Sequence, residues 1–301
     1  MTRRILMLGP ETGWHASQLR DAAKRRGFDF ASARYETLAC QLQESAPAEL
    51  TCEQGRLDHF AGILPRTMPA ASMERLTFRL SLLHAIADGV VPSETLLVNS
   101  PRCLEWCIDK SAATMRLAGA GFPVPATQFV QSRGEAMHAF ADLGGDCVLK
   151  PVFGGEGRGV MRVQDQELAW YAAGTLDQVD ALLQIQEFVP PGGVSLRVLV
   201  IGDQCIGMRR SNGTTFRTNV AAGGKVEQVD LGSQLLRDAR AIAKSFDLTF
   251  GAIDLLERDS GPPVFLEVNA VPGWKGAQKV VSENIADCLM DVLSERMRES
   301  R

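Results

Sequence analysis

The sequence lacks the features of a nucleic-acid-binding, membrane-spanning or disulfide-stapled protein. Its 301 residues include 32 basic and 36 acidic side chains, for a formal net charge of −4, and no basic stripe with interleaved aromatics occurs. Nucleic acid is therefore not an expected partner. No window approaches the ~18 apolar residues of a membrane span, and the apolar run in MTRRILMLGP is too short for a signal peptide. A cytoplasmic protein with no membrane partner is expected. The seven cysteines (Cys40, Cys52, Cys103, Cys107, Cys147, Cys205, Cys288) are odd in number, with no CxxC pair or nearby His cluster. That spacing argues against both a disulfide framework and a zinc site, and reduced, mostly buried thiols are expected. There is also no GxGxxG, no GK[ST], no internal repeat and no low-complexity tract.

What is present is a chain 45% hydrophobic, long enough for two or three compact lobes. RRILMLG reads as a buried strand and HASQLRDAAKRRG as a helix stopped by Gly27, a β-loop-α unit whose loop GPETG does not support bound NAD. AGILPR is a further strand and SMERLTFRLSLLHAIADG an amphipathic helix, so residues 1–98 form one α/β lobe of Rossmann-like shape. A second lobe spans 99–190: a helix from about Leu104 to Ala118, the extended GFPVPAT, the helix SRGEAMHAFADLGG, the strand CVLKPV, a Gly-rich loop, the strand GVMRV, and ALLQIQEFVPPGG, which breaks at Pro190 and Pro191. The third, 191–301, holds a hairpin turning at Gly202-Asp203, a polar loop, the helix SQLLRDARAIAKSF, the strands GAIDLLE and PVFLEVN, and a terminal helix.

Four constellations carry chemistry. If the turn RDSGPP is centred on Ser260-Gly261, paired residue numbers sum to 521, which sets Asp254 opposite Glu267 and Ala252 opposite Asn269. Ile253, Leu255, Leu266 and Val268 then take the apolar face. Facing carboxylates repel, and desolvation adds to the cost, so something positive must lie between them. An all-oxygen set of Asp254, Glu267 and Asn269 selects a hard cation, Mg²⁺ before Mn²⁺; a solvated sheet face or a one-residue slip is the bland alternative. In KPVFGGEGRGV, Gly154, Gly155, Gly157 and Gly159 let backbone amides approach a phosphate that Lys150 can also reach, although a mobile hairpin tip uses similar residues. In QIQEFVPP a Pro-broken strand leaves backbone groups free for an adenine edge, or Glu187 is an ordinary exposed acid. Arg197, Arg209, Arg210 and Arg217 suit a carboxylate or a phosphoryl group, or else a solvated strand edge.

In order, DK at Lys110, GFPVPAT, LKPVFGGEGRG, QEFV, LRVLVIGD, FRTN, GAIDLL and FLEVNAVPG resemble the ATP-grasp superfamily over residues 92–285, and more narrowly the RimK-type ligases, which join a carboxylate to an amine and often add glutamate. The resemblance implies an α+β grasp fold of two lobes behind the Rossmann-like one. It implies that Lys110 and Lys150 contact ATP phosphates, that Glu187 lies at the adenine pocket, and that Asp254, Glu267 and Asn269 bind Mg²⁺, as two ions. Arg197 and Arg217 match positions at the reacting phosphoryl group or the acceptor. Two departures stand out: Ser195 where the family often has Asp, and Ala222 at a position usually basic. The implied reaction is amide formation through an acyl phosphate. The implied carboxylate partner is a peptide, a protein C-terminus, or the tail of a pterin- or furan-type one-carbon carrier. A small-molecule kinase and a catalytically silent nucleotide-binding module are the competing readings, and a homo-oligomer is left open.

Overall fold

A computed structural model describes residues 3–154, 157–218 and 223–299. Two of the residues named above, Gly155 and Ala222, lie outside them. The chain begins with β1 (Arg4–Leu8), α1 (Trp14–Arg25) and β2 (Asp29–Ala33), then a small antiparallel sheet of β3 (Ala39–Gln41), β4 (Glu49–Cys52) and β5 (Gly55–Arg56). β6 (Gly62–Pro65), α2 (Met73–Ala87) and β7 (Leu96–Leu97) complete a parallel sheet in the order β2-β1-β6-β7. Every residue of β1 after Arg4 is buried, as expected of a central parallel strand covered on both faces.

Two helices follow, α3 (Pro101–Ile108) and α4 (Lys110–Gly119), where the sequence suggested one. The break is at Asp109, whose extended backbone lets its carboxylate accept from Ser111 N at 2.7 Å and Ala112 N at 3.2 Å as the cap of α4. Next come β8 (Thr127–Val130), α5 (Arg133–Asp142), β9 (Cys147–Pro151), β10 (Met161–Val163), α6 (Gln166–Asp177) and β11 (Leu183–Glu187), with an antiparallel sheet ordered β10-β9-β11-β8. Last are β12 (Val194–Ile201), β13 (Gln204–Ser211), β14 (Lys225–Gln228), α7 (Gly232–Ser245), β15 (Phe250–Leu256), β16 (Val264–Asn269) and α8 (Ile285–Glu299), whose antiparallel sheet runs β14-β13-β12-β15-β16.

The central sheet and its helices α5 and α6 have a core of their own, from Ala136 and Phe140 to Leu183 and Ile185. The other two lobes share theirs. Leu6, Leu8 and Ile63 pack in one cluster with Val198, Ile253 and Phe265, while Ile5 and Leu19 join Leu199, Phe250 and Leu289 in another. Cys103, Leu104, Ala113 and Leu117 of α3 and α4 belong to the first of these shared clusters, so the two helices pack outside the central core despite following residue 99. Asn99 fastens the junction. Its Oδ1 accepts from Thr249 N and Phe250 N, and its Nδ2 donates to Phe250 O and Ala270 O, all within 2.9 Å.

The seven cysteines are free, but only Cys52, Cys103 and Cys147 are buried; Cys107, Cys205 and Cys288 are half-buried and Cys40 is exposed. The expectation of mostly buried thiols is corrected accordingly.

Candidate active site

The 521 register holds for the residues that matter: Ala252 pairs with Asn269, Ile253 with Val268 and Asp254 with Glu267. Beyond Asp254 a bulge shifts it by one, so Leu255 faces Phe265 rather than Leu266. Phe265, not Leu266, therefore fills the apolar face and joins the shared core. Ridding the acid face of this slip leaves Asp254 and Glu267 side by side, with Arg197 on β12 directly across from Asp254.

Asp254 is 1% exposed and ion-paired with two arginines. Arg197 grips it with a two-pronged fork, Nε and Nη2 each 2.6 Å from a carboxylate oxygen, and Arg210 Nη2 approaches at 3.1 Å. The positive charge required between the acids is in part supplied by these side chains. Burial pushes the Asp254 carboxyl upward, but the two guanidinium groups outweigh it and hold the group well below the usual carboxylate range. Glu267 behaves in the opposite way: burial and the neighbouring Asp254 charge raise it, opposed by Lys110, Lys150 and Arg197. Asn269 Oδ1 accepts from Val271 N at 2.9 Å, which orients the amide at the mouth of the same face. Ser195, standing where an Asp was expected, is buried; its hydroxyl lies 2.6 Å from Thr218 Oγ1 and accepts from Arg210 Nε at 3.2 Å. Without an acid at 195, the charge partner of Arg210 is Asp254.

The second wall is the central sheet. Because side chains alternate along a strand, Cys147 and Leu149 of β9 enter the central core while Lys150 points the other way. Lys150 is 6% exposed, and its Nζ donates to Gln186 Oε1 at 2.9 Å; Gln186 Nε2 in turn donates to Thr127 Oγ1 at 2.8 Å. Burial lowers Lys150 to about 8, with the Glu267 charge opposing and the Lys110 charge adding to the shift. Lys110, the first residue of α4, donates to Val152 O at 3.1 Å and Gly154 O at 2.6 Å, so it holds the start of the Gly-rich loop. Burial lowers its pKa as well, against the pull of Glu267 and then Asp109. Within the loop, Gly159 has φ +72°, and a Cβ there would lie 3.1 Å from the Pro151 ring, so only glycine fits without displacement. Gly154 and Gly157 also have positive φ. Arg217 reaches across from the C-terminal lobe to donate to Val160 O, at the far end of the loop.

Lys110, Lys150, Arg197, Arg210, Asp254 and Glu267 thus converge on one cleft, four cations against two acids among the described residues. That surplus suits a polyanion. The donor set also suits a hard cation, because Glu267 makes no ion pair among the described residues and its charge is disfavoured where it lies. Three sequence-derived candidates are placed differently from the rest, the first being Arg209, which pairs with Glu257 and Glu227 instead of the acids of the cleft. Glu187 uses its carboxylate to accept from Ala126 N at 3.0 Å, and Arg217 touches the loop rather than the acids. One residue named only within the arginine cluster joins the acids, and one other, Gln186, was missed. Arg210 was legible only as one of a cluster, since its partner is 44 residues away. Gln186 follows from strand alternation, two places from the Lys150 partner Gln184 on the same face.

An open Rossmann-like lobe joined to two lobes that clasp lysines and acids between antiparallel sheets defines an ATP-grasp ligase. The RimK-like ATP-grasp domain matches residues 107–293, and the chain belongs to that family of carbon–nitrogen ligases. It is 29% identical to the tetrahydromethanopterin:alpha-L-glutamate ligase of Methanosarcina acetivorans, over 96% of this chain and 97% of the relative. It is 28% identical to a probable alpha-L-glutamate ligase of Rhodopirellula baltica, over 98% of this chain and 71% of that protein. Among solved structures, the ATP-grasp ligase PsnB with a minimal precursor superposes with a TM-score of 0.74 at 21% identity, covering 98% of both chains.

Proposed function

We propose that the protein is an ATP-dependent ligase that activates a carboxylate as its acyl phosphate and couples it to the amine of an amino acid, glutamate in the first instance. The observation that carries this reading is the convergence of Lys110 and Lys150 on Glu267 from two different lobes. Glutamate follows the activity of the tetrahydromethanopterin:alpha-L-glutamate ligase relative, and a pterin-type carrier or a peptide is the class of carboxylate substrate. The ATP phosphates lie against Lys110 and Lys150, beneath the loop held by Lys110 and Arg217. Purine lies along β11 past Lys150 and Gln186. Glu267 and Asn269 would hold Mg²⁺, as one or two ions, to neutralise charge on the phosphates, while both oxygens of Asp254 are taken by Arg197 and Arg210.

No cluster of three or more His, Cys, Asp or Glu side chains suited to a metal occurs among the described residues. The remaining ligands therefore come from phosphate and water, the usual arrangement for Mg²⁺. Arg197 and Arg210 keep Asp254 ionised and orient it, and they present further donors to the oxyanion that develops when the amine attacks. No side-chain nucleophile is required. Exclusion of water from the acyl phosphate lets its coupling outrun hydrolysis. The chain has unpaired cysteines and no helix among the described residues long and apolar enough to cross a membrane, and we place the reaction in the cytoplasm.

The test is ADP release measured across a panel of amino acids and carboxylates, with mass spectrometry of the product. Release that requires both partners and yields an amide supports the reading. Release that requires the carboxylate alone and yields a stable phosphate ester or anhydride overturns it in favour of a kinase.

A further inference from the structure

Where the N-terminal lobe meets the turn after β16, hydrogen-bond donors gather without acceptors. Trp274 is fully buried, yet its indole N–H has no partner among the described residues. A buried donor left unsatisfied costs about 1–3 kcal/mol, so it calls for a missing acceptor. The ring lies edge-on to Trp14, His15 and Phe250, with centroids 4.4–6.1 Å apart. Trp14 and His15 open α1, whose N-cap Gly13 offers no side-chain cap. The first amides of that helix lack intrahelical acceptors and carry the positive end of its dipole.

Arg66, just past β6, is 8% exposed, and its guanidinium carbon lies 4.9 Å from the Trp274 ring centre and 5.5 Å from that of Phe250. Its side chain makes one hydrogen bond, from Nη2 to Pro272 O at 2.7 Å. Burial lowers Arg66 to about 10, with the Tyr35 phenol opposing the shift. His15 Nε2 accepts from Trp274 N at 3.1 Å, which leaves the ring proton on Nδ1 as one more donor. Burial, Arg66 and Lys275 lower His15 to about 4, so it adds no charge near neutral pH.

We propose that this corner, between the N-terminus of α1, Arg66 and the Trp274–Lys275 turn, binds the free carboxylate of the amino-acid substrate. A carboxylate accepts from the indole and the helix amides and gives the two cations an anionic partner. The position fits the reaction. The corner lies at the carboxyl ends of a parallel sheet, where open α/β sheets take their ligands. Its turn continues directly from Asn269, which is bonded to Val271. An amino acid anchored there has its amine held beside the phosphate-binding cleft, and the inference rests on the ligase reading to that extent.

The test is calorimetric binding of L-glutamate, L-glutamine and isoglutamine to the full chain, with Trp274→Phe and Lys275→Met beside the unaltered protein. The phenyl ring removes the donor together with part of the packing of a fully buried side chain, so the ligand ratios rather than stability carry the result. One of the two monoamides, the one neutral at the anchored carboxylate, is expected to bind at least about tenfold more weakly than glutamate, the loss of a charge-assisted bond. Both variants are expected to weaken glutamate by a similar factor and to narrow that preference, while ATP affinity stays as in the unaltered protein. Equal binding of all three ligands, or a full preference retained in both variants, would overturn the site. ATP turnover is followed separately: turnover independent of any amino acid overturns the ligase reading, while the binding ratios still decide the corner.

Discussion

At the residue scale, the cleft is built from charges that the fold holds in disfavoured environments. Lys150 is the clearest. Its pKa lies near 8 in the folded protein against 10.5 unfolded, so the unfolded chain binds more protons between those values and stability rises with pH across that window. Below pH 8 the buried ammonium costs stability in full. Lys150→Met is therefore expected to raise stability by roughly 2 kcal/mol at pH 7, the cost of the buried charge less its bond to Gln186, as read by urea denaturation. In the unaltered enzyme, kcat/KM for ATP should fall as pH rises through about 8, and Lys150→Arg should abolish that inflection. Lys150 was legible because it precedes a run of glycines, and Glu267 because a polar residue stands in an apolar strand. The Arg197 fork was not: the sequence supplied arginines but no means of pairing Arg197 with a carboxylate 57 residues away.

At the scale of elements, hairpin pairing could be read from its turn as far as Asp254, because strand period and turn position both constrain it. The bulge at Leu266 escaped because Leu266 and Phe265 are both apolar and either could fill the core. The single helix expected over Leu104 to Ala118 is two, although the signal was present in Asp109, whose side chain competes for the backbone amides ahead of it. α6 went unread, since its buried face is of alanines and a glycine, too small to mark a helical stripe. The Gly-rich loop is tied at one end to Lys110 and at the other to Arg217. Arg217→Ala should raise KM for ATP about tenfold, the worth of a hydrogen bond from a charged group. It should also increase ADP release in the absence of the amine, as water reaches the acyl phosphate. Unchanged coupling between ADP and amide in that variant would show that the loop does not seal the site.

At the scale of the molecule, the three-lobe order was legible, but which lobes share a core was not, because the shared clusters join residues some 200 positions apart. Asn99 and the pairs Arg25–Asp287 and Arg26–Asp291 stitch the outer lobes together. Asn99→Ala leaves four backbone groups without partners and should cost roughly 3 kcal/mol or more. In native-state hydrogen exchange, residues 127–187, which have their own core, should open as a separate unit from the remainder.

The central claim is that one acid of the facing pair serves the nucleotide and the other holds the arginines. Asp254→Asn should lower both activity and stability, the latter by roughly 3–5 kcal/mol, because it leaves two buried guanidinium groups uncompensated. Glu267→Gln separates the two effects, since it removes a charge the fold disfavours. The most direct measurement is Mg²⁺-dependent ADP release by Glu267→Gln alongside its Tm. The account predicts turnover lower by about 10² or more with Tm equal to or above that of the unaltered protein. Undiminished turnover in a folded Glu267→Gln would contradict it.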